Sequence, residues 1–136
     1  MNAATAWSTL HRQGGHLYLA PRGLRCKAPT GQVTPELRRA LSSHRGTLTQ
    51  ALNGWGPVTG YLVLWFIEEA PLRTEPFHLE QGRRVTDPAR FYGRLYADIQ
   101  AGPGGPRART GALQHDLCLL YEHEKAQGRL RMVDGH

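Results

Sequence analysis

The period of the apolar positions changes several times along the chain, and each change marks a predicted element. Over residues 4–13, Trp7, Leu10 and neighbouring alanines recur at helical spacing and stop at Gly14 and Gly15, which predicts a short first helix. The period then falls to two. Residues 16–20 alternate, residues 21–23 (Pro, Arg, Gly) turn the chain, and residues 24–28 alternate again, which predicts a β-hairpin. Alternation puts Leu17, Leu19, Leu24, Cys26 and Ala28 on one face as core, and Tyr18, Arg25 and Lys27 on a basic outer face.

Helical spacing returns after a turn at residues 29–32. Thr34, Pro35 and Glu36 read as N-cap, first-turn proline and an acid favoured by the helix dipole. Leu37, Leu41, His44, Leu48 and Leu52 form the buried stripe that follows, with Arg38, Arg39 and Arg45 pointing elsewhere. Ser42, Ser43 and Gly46 predict a break into two helices near residue 44, and residues 53–57 form a punctuated junction. Residues 58–69 are apolar on almost every side and read as a buried helix, although their Tyr, Val, Trp, Phe and Ile content also suits a strand. Residues 71–84 read as a loop or extended crossing anchored by Phe77 and Leu79. Asp87 and Pro88 start a helix with Phe91, Tyr92, Leu95 and Ile99 on its apolar face, closed by Gly102. After a turn at residues 102–106, Thr110 is the expected cap of a last helix whose stripe is Leu113, Leu117, Leu120 and Tyr121. The last eight or so residues read as a frayed tail.

The expected fold is therefore α+β and mostly helical: an N-terminal αββαα module with a β-hairpin over residues 1–53, then a helical extension over residues 54–136. Helix, hairpin, helix, helix across residues 4–53, with the runs Leu24 to Gly31 and Val33 to Leu37, then Leu41, the His44-Arg45 step, Leu48 and Leu52, resembles the TubC N-terminal docking domain found at the starts of modular nonribosomal peptide and polyketide synthase subunits. The resemblance implies an αββαα fold, pairing as a homodimer, and an exposed hairpin that receives a short linear motif from a partner's tail. The receiving surface it implies here is Leu24, Arg25, Cys26 and Lys27. No synthase catalytic signature follows residue 53, so the expectation is a module used outside a synthase. Residues 85–92 and 102–113 look similar to segments of uncharacterised bacterial proteins in which a TubC-like module accompanies plasmid, phage or DNA-processing functions, which implies a nucleic-acid setting.

Charge sharpens this picture. Seventeen Lys and Arg against eleven Asp and Glu leave +6, and the excess is local. Residues 1–53 hold seven cations (Arg12, Arg22, Arg25, Lys27, Arg38, Arg39 and Arg45) against Glu36 alone, whereas residues 54–136 hold ten of each sign. A cluster of this kind favours a polyanion or an acidic protein surface. Tyr18, Arg22, Arg25, Lys27, Arg38, Arg39 and Arg45 are thus candidate nucleic-acid contacts, with Tyr18 as a stacking platform for an unpaired base. The plainer reading is a solvated surface from a GC-rich coding sequence, since fifteen of the seventeen cations are Arg.

The remaining chemistry points away from catalysis. Residues 102–110 resemble a phosphate cradle without the Walker spacing, and a turn between antiparallel helices explains the same glycines; Arg107 and Arg109 are left as secondary anion contacts. Cys26 and Cys118 have no metal-ligand or disulfide spacing. His115 and His123 are too far apart on a helix to share a metal unaided, His44 lies in an apolar stripe, and residues 122–124 (Glu, His, Glu) read as a solvated face. No Ser or Cys has a recognisable base, so a hydrolase using His115 and Asp116 is a distant third class. Trp55, Tyr61, Trp65 and Phe66 read as core. The first twenty residues lack a signal-peptide core, and the longest apolar run, residues 61–67, is short of the about 20 residues a membrane span needs. The sequence thus predicts a cytoplasmic, non-catalytic docking or adaptor protein without cofactor or metal, whose hairpin module binds an acidic peptide or partner tail beside nucleic acid. The alternative is direct nucleic-acid binding.

Overall fold

The computed structural model describes residues 1–128, so the tail expectation lies outside the described residues. The described chain is α+β and mostly helical, and it divides into two compact units, Met1–Glu69 and the residues from Ala70 onward.

The first unit opens with α1 (Ala3–Arg12), capped by Asn2, whose side chain accepts from the Thr5 amide. Strands β1 (His16–Ala20) and β2 (Gly23–Lys27) form the predicted antiparallel hairpin. Thr34 caps α2 (Pro35–Ser43) with its hydroxyl, the chain breaks at His44, and α3 (Arg45–Trp55) follows, so the αββαα order is present. Gly56, at φ +87°, separates α3 from α4 (Pro57–Glu68) in a conformation that only glycine adopts without strain.

Residues 58–68 are helical rather than extended, with Glu69 as the C-cap. Proline at the first turn favours that choice, and a run of twelve residues is long for a strand. Leu62 to Phe66 are buried consecutively, while Val58 and Ile67 near the ends are exposed. Helix α4 packs on α1 and α3. It therefore belongs to the first unit and not to the extension that the apolar pattern assigned from residue 54. Trp65, Phe66, Leu10, Leu37 and Leu48 are fully buried in this core, and Trp7 meets Tyr61 edge to face at 5.9 Å.

The acids that end α4 oppose that helix's own dipole, yet they serve the start of α1. Glu68 Oε1 accepts from the Ala4 amide at 2.8 Å, and Glu69 Oε2 accepts from the Thr5 hydroxyl at 3.0 Å. Helix α1 has no acid in its own first turn, so these carboxylates supply the charge its N-terminus favours.

In the second unit, the loop or extended crossing expected over residues 71–84 contains short regular elements. Strands β3 (Phe77–His78) and β4 (Arg84–Val85) pair antiparallel around a 3-10 turn (Glu80–Gly82). Both expected anchors are engaged: Leu79 is buried, and Phe77 stacks on Tyr92 and packs against Phe91 and His123. Asp87 caps α5 (Pro88–Gln100) as expected. A short helix α6 (Pro106–Arg109) leads to α7 (Ala112–Ala126), whose cap position is left-handed Gly111; the Thr110 hydroxyl instead accepts from the Ala112 amide.

Candidate nucleic-acid and peptide interface

The hairpin register fixes which side chains share a face. Leu17 lies opposite Cys26 and Leu19 opposite Leu24, while His16 faces Lys27 and Tyr18 faces Arg25. The predicted split into faces is therefore present, but the inner face is buried only along one diagonal. Leu17 and Leu24 are covered, whereas Leu19 is 39% exposed and Cys26 is open. A two-stranded ribbon twists strongly, so opposite corners of one face leave the core. Within the expected receiving surface, Leu24 thus offers only its backbone, while Arg25, Cys26 and Lys27 present their side chains to solvent.

The outer face is a small lattice of rings and cations. Tyr18 is 42% exposed, its ring lies 6.2 Å from His16, and each ring stands across the ladder from a cation. Arg22 is exposed at the turn, Arg38 and Arg39 are exposed on α2, and Arg45 is exposed at the start of α3. Among the described residues none of Arg22, Arg25, Lys27, Arg38, Arg39 and Arg45 makes an ion pair. With α4 included, the first unit carries seven Lys and Arg against Glu36, Glu68 and Glu69, which leaves +4. His44, half-buried at the junction of α2 and α3, places Nε2 2.9 Å from the Met1 carbonyl.

The second unit holds charged chemistry that sequence reasoning missed. Glu124 is fully buried and takes a bidentate fork from Arg73, with Nε to Oε2 at 3.0 Å and Nη2 to Oε1 at 2.6 Å. His123 is buried as well, so residues 122–124 are a solvated face only at Glu122. The physical reason is the helix stripe itself: continued by one turn from Leu117 and Leu120, it lands on Glu124. Burial, with the Glu124 charge adding to it and Arg73 opposing it, pushes the neighbouring Tyr92 hydroxyl above its ordinary pKa.

Asp116 shares that buried stripe and is paired with Arg83, Arg94 and Arg107. Arg107 also reaches Asp98 at 3.2 Å, so its guanidinium turns inward, while Arg109 is exposed. Exposed His115 and buried Asp116 point to different sides of α7, and the carboxylate is committed to three guanidiniums, which leaves no acid–base dyad. Burial and the Glu122 charge raise the Cys118 thiol above its ordinary pKa. Among the described residues no group of three or more His, Cys, Asp or Glu is placed to hold a metal, and no helix is long and apolar enough to cross a membrane. No family model, curated protein or solved structure matches this chain.

Proposed function

We propose that this protein is a non-catalytic docking or adaptor protein whose basic hairpin receives an acidic, extended peptide or partner tail in a nucleic-acid-associated, cytoplasmic complex. The observation that carries the reading is the outer hairpin face, where exposed Arg25 and Lys27 stand across from Tyr18 and His16 and, among the described residues, pair with no acid. A two-stranded sheet keeps backbone donors and acceptors along its edges, and an extended peptide can add to such an edge by main-chain hydrogen bonds. The cations would then select acidic side chains, with Leu19 and Cys26 offering apolar contact at opposite corners of the inner face. The TubC resemblance supports the same use of the hairpin.

A second reading, direct nucleic-acid binding, is favoured by the pairing of rings with unneutralised cations on one face. Tyr18 would stack on an unpaired base while Arg22, Arg25, Lys27, Arg38, Arg39 and Arg45 follow phosphates.

Fluorescence anisotropy at two salt concentrations separates the readings, using an Asp/Glu-rich peptide with alternating apolar residues and, in parallel, short single- and double-stranded oligonucleotides. Docking predicts saturable peptide binding that R25A/K27A weakens at least tenfold. Absence of peptide binding at low salt would overturn it. Oligonucleotides that stay unbound at low salt would remove the second reading, because clustered cations bind polyanions at least non-specifically there.

A further inference from the structure

The second unit fixes a surplus of positive charge at one point. Three guanidiniums reach the 1%-exposed Asp116 from three elements: Arg83 from the turn before β4, Arg94 from α5 and Arg107 from α6. Arg107 Nη2 donates to Oδ2 at 2.6 Å, Arg94 Nη2 donates to the same oxygen at 3.3 Å, and Arg83 Nη1 donates to Oδ1. Asp98 is the second carboxylate present, on Arg107 Nη1. Among the described residues, three cations against two acids leave one positive charge after internal pairing.

One arginine is enough to neutralise a buried carboxylate, so three exceed what burial of Asp116 requires. The surplus is also open to solvent, since the Arg83 and Arg94 side chains are 38% and 46% exposed. Each guanidinium carries five N–H donors, and Arg83 and Arg94 each spend one on Asp116. The Arg83 guanidinium lies over the Phe91 ring, 5.7 Å from its centroid, in a cation–π contact. Asp116 thus acts as an anchor that gathers three cations, of which Arg83 and Arg94 keep N–H donors beyond the one each spends on it.

We infer that the solvent side of the Arg83, Arg94 and Arg107 cluster binds a phosphate group, either free or as a terminal monoester. A phosphate offers three terminal oxygens and about −1.5 to −2 charges, which matches several converging guanidinium forks better than a single carboxylate does. The site is separate from the hairpin and stands or falls independently of it.

The test is an NMR titration of the full chain with inorganic phosphate against chloride at matched pH and ionic strength. The expected result is saturable shifts in α5, α6 and the start of α7, with a Kd of about 1 mM or tighter. R94A is expected to weaken this at least tenfold. Arg94 has the longest of the three contacts and the most exposed side chain, so Arg83 and Arg107 still hold Asp116 in that variant. R94K, which keeps the charge and loses the fork, gives a folded intermediate. R12A, at an exposed arginine of the first unit, leaves the phosphate shifts in α5, α6 and α7 unchanged. Parallel titrations with O-phosphoserine and a nucleoside 5′-monophosphate show which monoester the cluster accepts. A response to phosphate no greater than that to chloride, or equal affinity in folded R94A, would overturn the inference.

Discussion

Glu124, with no exposed surface, is clasped end-on by Arg73, both carboxylate oxygens lying within 3.0 Å of the guanidinium. Removing one member leaves the buried carboxylate without its fork, and the loss on breaking such a pair is about 3 kcal/mol or more. R73M is therefore expected to lower the chemical-denaturation midpoint sharply. R73M/E124M, with both charges gone and apolar volume kept, is expected to recover most of the stability. A double variant as weak as the single one would show that packing, not charge compensation, is what Arg73 contributes.

Gly60 is set by the close approach of α4 to α3. A Cβ there would lie 2.7 Å from the Ala51 carbonyl oxygen, which is backbone and cannot rotate away. G60A gains helix propensity but forces the helices apart, and overpacking of this kind costs about 1–3 kcal/mol. The expected result is a lower thermal midpoint despite the better helix former; an unchanged or higher midpoint would contradict the contact.

The two cysteines differ in environment. Cys26 is exposed on β2, whereas burial raises the Cys118 thiol and keeps it protonated at neutral pH. Since the thiolate is the nucleophile, a thiol reagent at pH 7 is expected to modify Cys26 well before Cys118, as read by peptide mass mapping. Modified Cys26 then places a bulky group on the hairpin and is expected to weaken the peptide binding proposed above.

Alkaline stability follows from Tyr92. Its folded pKa is raised above 10.0 by burial first, so the unfolded chain gives up this proton before the folded one does. Folding is favoured by the protonated ring, and the contribution is complete below pH 10 and lost as pH climbs through the folded value. Denaturant melts from pH 9 upward are expected to show a steeper decline for the native chain than for Y92F. Parallel slopes would mean that Tyr92 titrates alike in both states.

Much of the fold was legible because it rests on local chemistry. Thr34 ahead of Pro35, Asp87 ahead of Pro88, the glycines after Arg12 and the change of period at residues 16–28 each act within a few residues, and the corresponding helices and hairpin are present. The candidate hairpin face was legible for the same reason, since alternation alone sets which side Tyr18, Arg25 and Lys27 share.

What the sequence could not decide is which positions tertiary packing would cover. Leu19 and Leu24 face each other across one ladder, yet only Leu24 is buried, because the ribbon's twist selects a diagonal. Glu68 and Glu69 look like surface acids ending a helix until α4 brings them to the start of α1. Asp116 and Glu124 lie on the apolar stripe of α7, a signal present in the periodicity, but their partners Arg73, Arg83, Arg94 and Arg107 are 9 to 51 residues away. A capping bond is specified by neighbours three residues apart, whereas a buried ion pair exists only once distant elements meet. The sequence by itself therefore determined the hairpin, the main helices and the basic hairpin face; only the tertiary structure decided which charges are spent internally and which stay exposed, because ion pairs form only between elements that packing brings together.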